Sequence, residues 1–382
     1  MRLFHFFACV LLSQSGIAFA LAESASIVRV DHFVNVKSAS AAIQHQNIQL
    51  YLREVKAVNT QPTGAVLFIH GSGTPSDVSF DIPYKDYSWM AYLAQEGFDV
   101  YGLDLTGYGR STRPAAMNDP CNLSASEQQQ FIPSLLKKTC AKNHSQALTT
   151  IESDWADIDA AVNFIHAQKR IISLALIGWS QGGPRNLGYI QRHPGKIDSL
   201  VLLAPAYHRD APLKPPSSTD LKELMSVQNQ TEFTMGWAKQ IGCADQVDFP
   251  IREVIWREML ASDALGKTWG SGVRRAPEQG ETWGFNQATA EKFTLPTLLV
   301  AGEFDIQVSP ATVRKLFADL GSPKKVFIDL ACSSHRASWE TNHLLLFKAS
   351  ADWIKNNAIG TLTRGEIKLG YKTTGSSKQA IK

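Results

Sequence analysis

The sequence lacks the features that mark several large classes of protein. Basic and acidic side chains nearly balance, 38 Lys and Arg against 35 Asp and Glu for a formal charge of +3, and there is no long basic block. Composition therefore gives no electrostatic source for binding nucleic acid or an anionic membrane surface. Metal-ligand spacings such as H-E-x-x-H or paired C-x-x-C are absent, so no metal site is implied. No glycine loop of the nucleotide-binding kind follows the opening strands, and no cofactor is expected. Past the N-terminal segment no apolar run is long enough to span a bilayer.

Cysteine is scarce too, five in 382 residues. Cys9 falls in a segment where Arg2 precedes an apolar run at 3–12 and Ala20-Leu21-Ala22 stands before Glu23. That pattern reads as a secretory signal peptide, 1–22, cut after Ala22 or at the nearby Ala20. An uncleaved anchor fits less well, because Ser13, Gln14 and Ser15 break the run. The expected location is secreted or periplasmic, with no stable membrane insertion after cleavage. Four cysteines then remain, and an oxidising compartment allows three pairings. Cys121 with Cys140 and Cys243 with Cys332 is the favoured set, against four separate buried thiols. Sequons at Asn122, Asn143 and Asn229 are about as many as chance supplies.

What the chain has is apolar content, 44% hydrophobic with 19% charged, enough for one large α/β domain or a domain with an insertion. Its centre is the stretch 171–186, read as strand, sharp turn and helix. An apolar β-rich run leads into Gly178-Trp179-Ser180-Gln181-Gly182, which fits G-x-S-x-G. A serine lifted on such a turn adopts an unfavourable backbone conformation, and side chains two residues either side would collide, hence the glycines. The turn also points Ser180 at a helix N-terminus, where the Gln181 N–H faces an oxyanion. Alone the motif is short enough to occur by chance.

Around it the chain alternates strand and helix. Runs at 27–36 and 48–58 suit antiparallel opening strands, and 65–69 a central one. That strand ends in His70-Gly71-Ser72-Gly73, a turn of small residues able to aim backbone N–H groups at open space. A helix at 87–95, a strand at 98–103 and a turn-rich loop at 104–111 follow. Residues 115–148 are a polar excursion. Thr149 and Glu152 fit a capping box for a helix at 150–168, in which Ile151, Trp155, Ile158, Val162 and Ile165 recur at helical spacing. After a strand at 199–203 the alternation stops. Residues 207–292, with Phe233, Trp237, Trp256, Trp269, Trp283 and Phe285, read as a mostly helical lid whose aromatics mainly form its own core. Strands at 297–301 and 325–330 and helices after Pro310 and at 339–355 complete the pattern. The result is a mainly parallel sheet with helices on both faces: core 23–206, lid 207–292, core 293–358. The tail 359–382 is read as flexible, with a short strand conceivable at 366–373.

A serine nucleophile needs a base, and the base an orienting acid. Asp305, after the 297–301 strand, and His335, after the last one, are the candidates. Glu303 is the rival acid and His343 the rival base, though His343 falls inside the last helix; His70 is read as structural. The order Ser180, Asp305, His335, with the turn at 70–73, the D-x-x-G-x-G-x-S loop at 104–111, G-x-S-x-G and G-x-x-D at 302–305, resembles the α/β-hydrolase superfamily over residues 27–357. The resemblance implies Ser180 as nucleophile, His335 as base then acid, Asp305 as orienting carboxylate, and the N–H groups of Ser72 (or Gly73) and Gln181 as oxyanion hole. Trp179 and Tyr207, near the site in sequence, are candidates for its walls. The expected function is a carboxylic-ester hydrolase working through an acyl-enzyme on a small-molecule ester. A small-amide hydrolase, aminopeptidase, lactonase or acyltransferase is the alternative, with Glu232, Asp245, Asp248 and Glu253 available for a substrate amine. A non-catalytic binding protein on the same fold fits worse, because nucleophile, base and acid are all present.

Overall fold

The structure is a computed structural model that describes residues 26–44, 46–168, 173–214, 223–269, 272–277 and 284–371. The signal-peptide reading and Trp283 lie outside the described residues. The strands are β1 (Ile27–Lys37), β2 (Asn47–Ala57), β3 (Ala65–Ile69), β4 (Asp99–Asp104), β5 (Leu174–Trp179), β6 (Ser199–Leu203), β7 (Ser226–Asn229), β8 (Gly272–Arg275), β9 (Thr297–Gly302), β10 (Lys325–Leu330) and β11 (Arg364–Leu369). Nine of them form one sheet in the order β1-β2-β4-β3-β5-β6-β9-β10-β11. β1 and β2 pair antiparallel, β2 joins β4 antiparallel, and every pairing from β4 to β11 is parallel.

The apolar runs explain which strands lie inside. β3, β5, β6, β9 and β10 are buried along their whole length, as strands covered on both faces must be. Alternate residues feed two separate cores: Val66 and Phe68 point to one, Ala65, Leu67 and Ile69 to the other.

Helices α1 (Ser76–Phe80), α2 (Trp89–Gln95), α3 (Ala125–Gln129), α4 (Ile151–His166), α5 (Gly182–Arg192), α6 (Gln230–Ala238), α7 (Pro250–Ala261), α8 (Gln287–Ala290), α9 (Pro310–Asp319) and α10 (His343–Asn356) complete the fold. Trp89 of α2 and Phe347 of α10 join the first core; Ile158 of α4, Leu187 of α5 and Leu316 of α9 join the second.

The structure shifts several expected boundaries. The capping box of α4 is Thr150 with Ser153, not Thr149 with Glu152. Thr149 is itself buried, and the later start leaves Glu152 outside while Ile151, Trp155 and Ile158 face the core. The last helix begins at His343, after a 3-10 turn at Ala337–Trp339 that sinks Trp339 into the core. The tail is not merely flexible, since β11 adds a parallel edge strand to β10. This strand starts two residues before the short strand conceived at 366–373, and its alternation places Ile367 and Leu369 against the core beneath polar neighbours.

The stretch 207–292 holds α6, α7 and α8 and also the antiparallel pair β7–β8, which its polar sequence did not announce. Cys121 and Cys140 stand at disulfide distance, Cα to Cα 5.3 Å, and so do Cys243 and Cys332, at 5.7 Å. Among the described residues no helix is long and apolar enough to cross a membrane.

Candidate active site

The turn between β5 and α5 has the strain that its glycines anticipate. Ser180 has φ +55°, a left-handed conformation that a side chain resists. A Cβ on Gly178 would come within 2.6 Å of the Gly182 carbonyl oxygen, and one on Gly182 would collide with the Ile69 carbonyl. Two backbone bonds fix the turn: Ser180 N–H donates to Leu203 O, and Gly183 N–H to Ser180 O, both at 2.9 Å. Strain held by surrounding bonds is characteristic of functional turns.

Two loops leaving β9 and β10 bring Asp305 and His335 together. His335 Nδ1 lies 2.8 Å from Asp305 Oδ2, with both side chains buried. The second carboxylate oxygen, Oδ1, accepts the N–H groups of Gln307 and Val308, each at 2.8 Å. A carboxylate so bound is an acceptor, so the Nδ1–H of His335 donates to it and the other ring nitrogen, Nε2, takes no part in the pair. Behind the site Trp179 Nε1 donates to the His335 carbonyl at 2.8 Å, tying the residue before the serine to the histidine loop. The rivals are engaged elsewhere. Glu303 accepts the Cys332 N–H; His343 stacks on Tyr87 at 3.9 Å and contacts Asp86 and the Glu340 carbonyl.

The turn after β3 is held from beneath. His70 is fully buried, its Nδ1 2.6 Å from Gly71 O and its Nε2 accepting the Leu105 N–H at 3.2 Å. Burial, reinforced by the Arg185 cation, pushes its imidazole down to about 3, so it is neutral and bonds backbone. Sequence reasoning missed Arg185 itself. From α5 its Nη1 donates to the carbonyls of His70 and Gly71, at 2.9 and 3.1 Å, while Nε donates to buried Asp154 of α4 at 2.7 Å. The available signal was a pair of charges, Asp154 and Arg185, on helix faces that periodicity assigns to the core.

Ser72, Ser180, Gln181, Trp179 and His335 line one cavity of about 500 Å³. Of the two residues expected in its walls, Trp179 is there and Tyr207 is not: the Tyr207 hydroxyl donates to Asp319 at 2.8 Å, on the other side of the sheet end. Most lid aromatics form core. Trp237 is fully buried and donates to Glu340, Trp256 and Phe285 are buried, and of the described residues of the set only Phe233 reaches the cavity. Glu340 joins the stretch 207–292 to the histidine loop, accepting from Trp237 Nε1, Gln246 Nε2 and both the N–H and hydroxyl of Ser334. Among the described residues no cluster of His, Cys, Asp and Glu could hold a metal ion.

The profile of the family described as serine aminopeptidase, S33, matches residues 60–342. The chain belongs to that family. Its fold is that of the α/β-hydrolases, and this S33 member is an α/β-fold serine hydrolase. It resembles in structure a serine hydrolase involved in carbazole degradation, at TM-score 0.53 and 15% identity over 86% of this chain and 99% of that one. It likewise resembles 2-hydroxy-6-oxo-6-phenylhexa-2,4-dienoate hydrolase from Rhodococcus sp. strain RHA1, at TM-score 0.50 and 15% identity over 85% and 99%. At such identity the likeness is one of fold. No curated protein matches the chain by sequence.

Proposed function

We propose that this S33 member is an exported carboxylic-ester hydrolase acting through an acyl-enzyme on Ser180. The observation that carries the reading is the buried His335–Asp305 pair opening onto the cavity that Ser180 lines. In the first half-reaction Ser180 Oγ attacks the ester carbonyl as its proton passes to His335 Nε2. The carbonyl oxygen becomes an anion held by the N–H groups of Ser72 and Gln181. Collapse expels the alcohol, which takes the proton from the imidazolium, and leaves the acyl group on Ser180. Water then repeats the sequence, giving up a proton to His335 and releasing the carboxylic acid and free serine. Export rests on the signal-peptide reading of 1–22 and the two cysteine pairs.

The family description favours a second reading, an aminopeptidase. It requires an anion to hold a substrate amine. Of the four acidic residues available, only Glu232 lines the cavity, and Asp248 is bound by Lys85. The test is hydrolysis of a chain-length series of p-nitrophenyl esters beside matched p-nitroanilides, including aminoacyl ones. Ester turnover abolished by Ser180→Ala supports the proposal. Cleavage of anilides alone moves the reading to the amidase.

A further inference from the structure

The cavity's charge is not explained by ester hydrolysis as such. Among the described residues its walls carry Arg336, Arg275 and Lys239 and one acid, Glu232, which is exposed like Lys239. Arg336 follows the catalytic-base candidate directly, yet it is 7% exposed, and burial pushes its guanidinium down to about 10, still a cation at neutral pH. The two other arginines buried as deeply among the described residues are paired: Arg185 meets Asp154 and Arg274 meets Asp263. Arg336 meets no carboxylate in an ion pair among the described residues.

Its one side-chain hydrogen bond there runs from Nη1 to Gly236 O at 3.4 Å, and the guanidinium rests against the rings of Phe233 and Trp237. Glu340 and Asp305 are near enough to favour its charge, but both are occupied, Glu340 by Ser334, Trp237 and Gln246 and Asp305 by His335 and two backbone N–H groups. Arg275, which also lines the cavity, is half-buried, its Nε donating to Ser226 Oγ at 2.9 Å. Its Nη1 lies 3.8 Å from where a Cβ would stand on Gly73, in the turn offered as oxyanion hole. A buried cation that no carboxylate meets in a hydrogen-bonded pair is costly to a fold and is relieved by an incoming anion.

We propose that the cavity is built for a substrate bearing a carboxylate besides its scissile ester, with Arg336 as the buried anchor and Arg275 as the second cation. The inference rests on the ester-hydrolase reading and names its substrate class. A fork of N–H donors suits a carboxylate, and a neutral chain of equal length leaves those donors unpaired. The same arrangement opposes a substrate ammonium, which would meet like charge.

The test compares mono-p-nitrophenyl adipate with p-nitrophenyl hexanoate, and 4-acetoxybenzoate with phenyl acetate, placing the carboxylate first on the acyl side and then on the leaving group. The full chain should favour the anionic member of at least one pair on the order of tenfold in kcat/KM, less at high salt. Arg336→Gln and Arg275→Gln should each shrink that ratio, chiefly through KM, and Arg336→Lys should restore part of it. Adipate, but not adipamide, should protect wild-type Ser180 from a fluorophosphonate probe, a readout that holds even where an Arg336 variant fails to fold. Equal rates within both pairs, or a preference untouched by both substitutions, overturns the inference. Loss of probe labelling and of hexanoate ester cleavage in the wild type would instead overturn the hydrolase reading beneath it.

Discussion

Ser180, His335 and Asp305 stood out in the sequence as candidates because each sits in a short motif whose spacing has a local physical cause: glycines around a strained turn, or a polar loop ending an apolar strand. Arg185 was not, since its meaning depends on Asp154, on another helix, and on two carbonyls at the end of β3. Arg185→Met strips a buried charge of its partner and should cost about 3–5 kcal/mol. It should also slow turnover on the order of tenfold to a hundredfold by displacing the turn after β3, the one proposed to hold the oxyanion. Adding Asp154→Leu should return most of the stability, measured by urea titration, but little of the rate. Equal recovery of both would make the pair purely structural. Asp157 gives a second prediction. Burial holds its carboxyl up at about 7 while it accepts the Thr106 N–H, so the native state binds this proton more tightly than the unfolded chain. Stability from that proton is full below an unfolded pKa of about 4 and is lost as pH rises through 7. His70 acts in the opposite sense, its depressed pKa costing stability as pH falls from about 6.5 toward 3. The difference between wild type and Asp157→Asn isolates the carboxyl. The variant's relative stability should improve by about 2–4 kcal/mol between pH 4.5 and pH 8, and a flat difference would refute the shift.

The central strands of the sheet were legible from continuous apolar runs and helices were expected in 207–292, but the strand pair there was not. β7 and β8 are four-residue strands, SVQN and GVRR, too short and polar for alternation to register, and they meet across more than forty intervening residues. What the sequence did expose there was cysteine. Cys243, just past α6, and Cys332, at the end of β10, sit at bonding distance across 89 residues of chain. A loop of that length restricts the unfolded state by roughly 4–5 kcal/mol in the chain-entropy account. Cys243→Ser with Cys332→Ser should therefore lower Tm by roughly 5–10 °C. It should lower kcat as well, because Cys332 stands three residues before His335. An unchanged Tm in non-reducing buffer would mean that the pair is open in solution.

For the molecule as a whole, β11 decides how the sheet ends. It covers the edge of β10 with six residue pairs, hiding backbone donors and acceptors that otherwise invite pairing with another chain. Ending the chain at Ala358 should leave Ser180 reactive toward a fluorophosphonate at low concentration while promoting aggregation, visible by light scattering; a truncated chain that stays monomeric would show the edge to be harmless. Between these scales lies the joint at Glu340, where Trp237 and Gln246 of the stretch 207–292 and Ser334 beside His335 share one carboxylate. Its consequence is evolutionary. Residues 237–246 cannot drift to suit a new substrate without disturbing the seat of His335. Descendants of this chain are expected to inherit Trp237, Gln246, Ser334 and Glu340 as a block or replace them together, so that divergence of specificity is concentrated on the β7–β8 side of the cavity, where Arg275 stands.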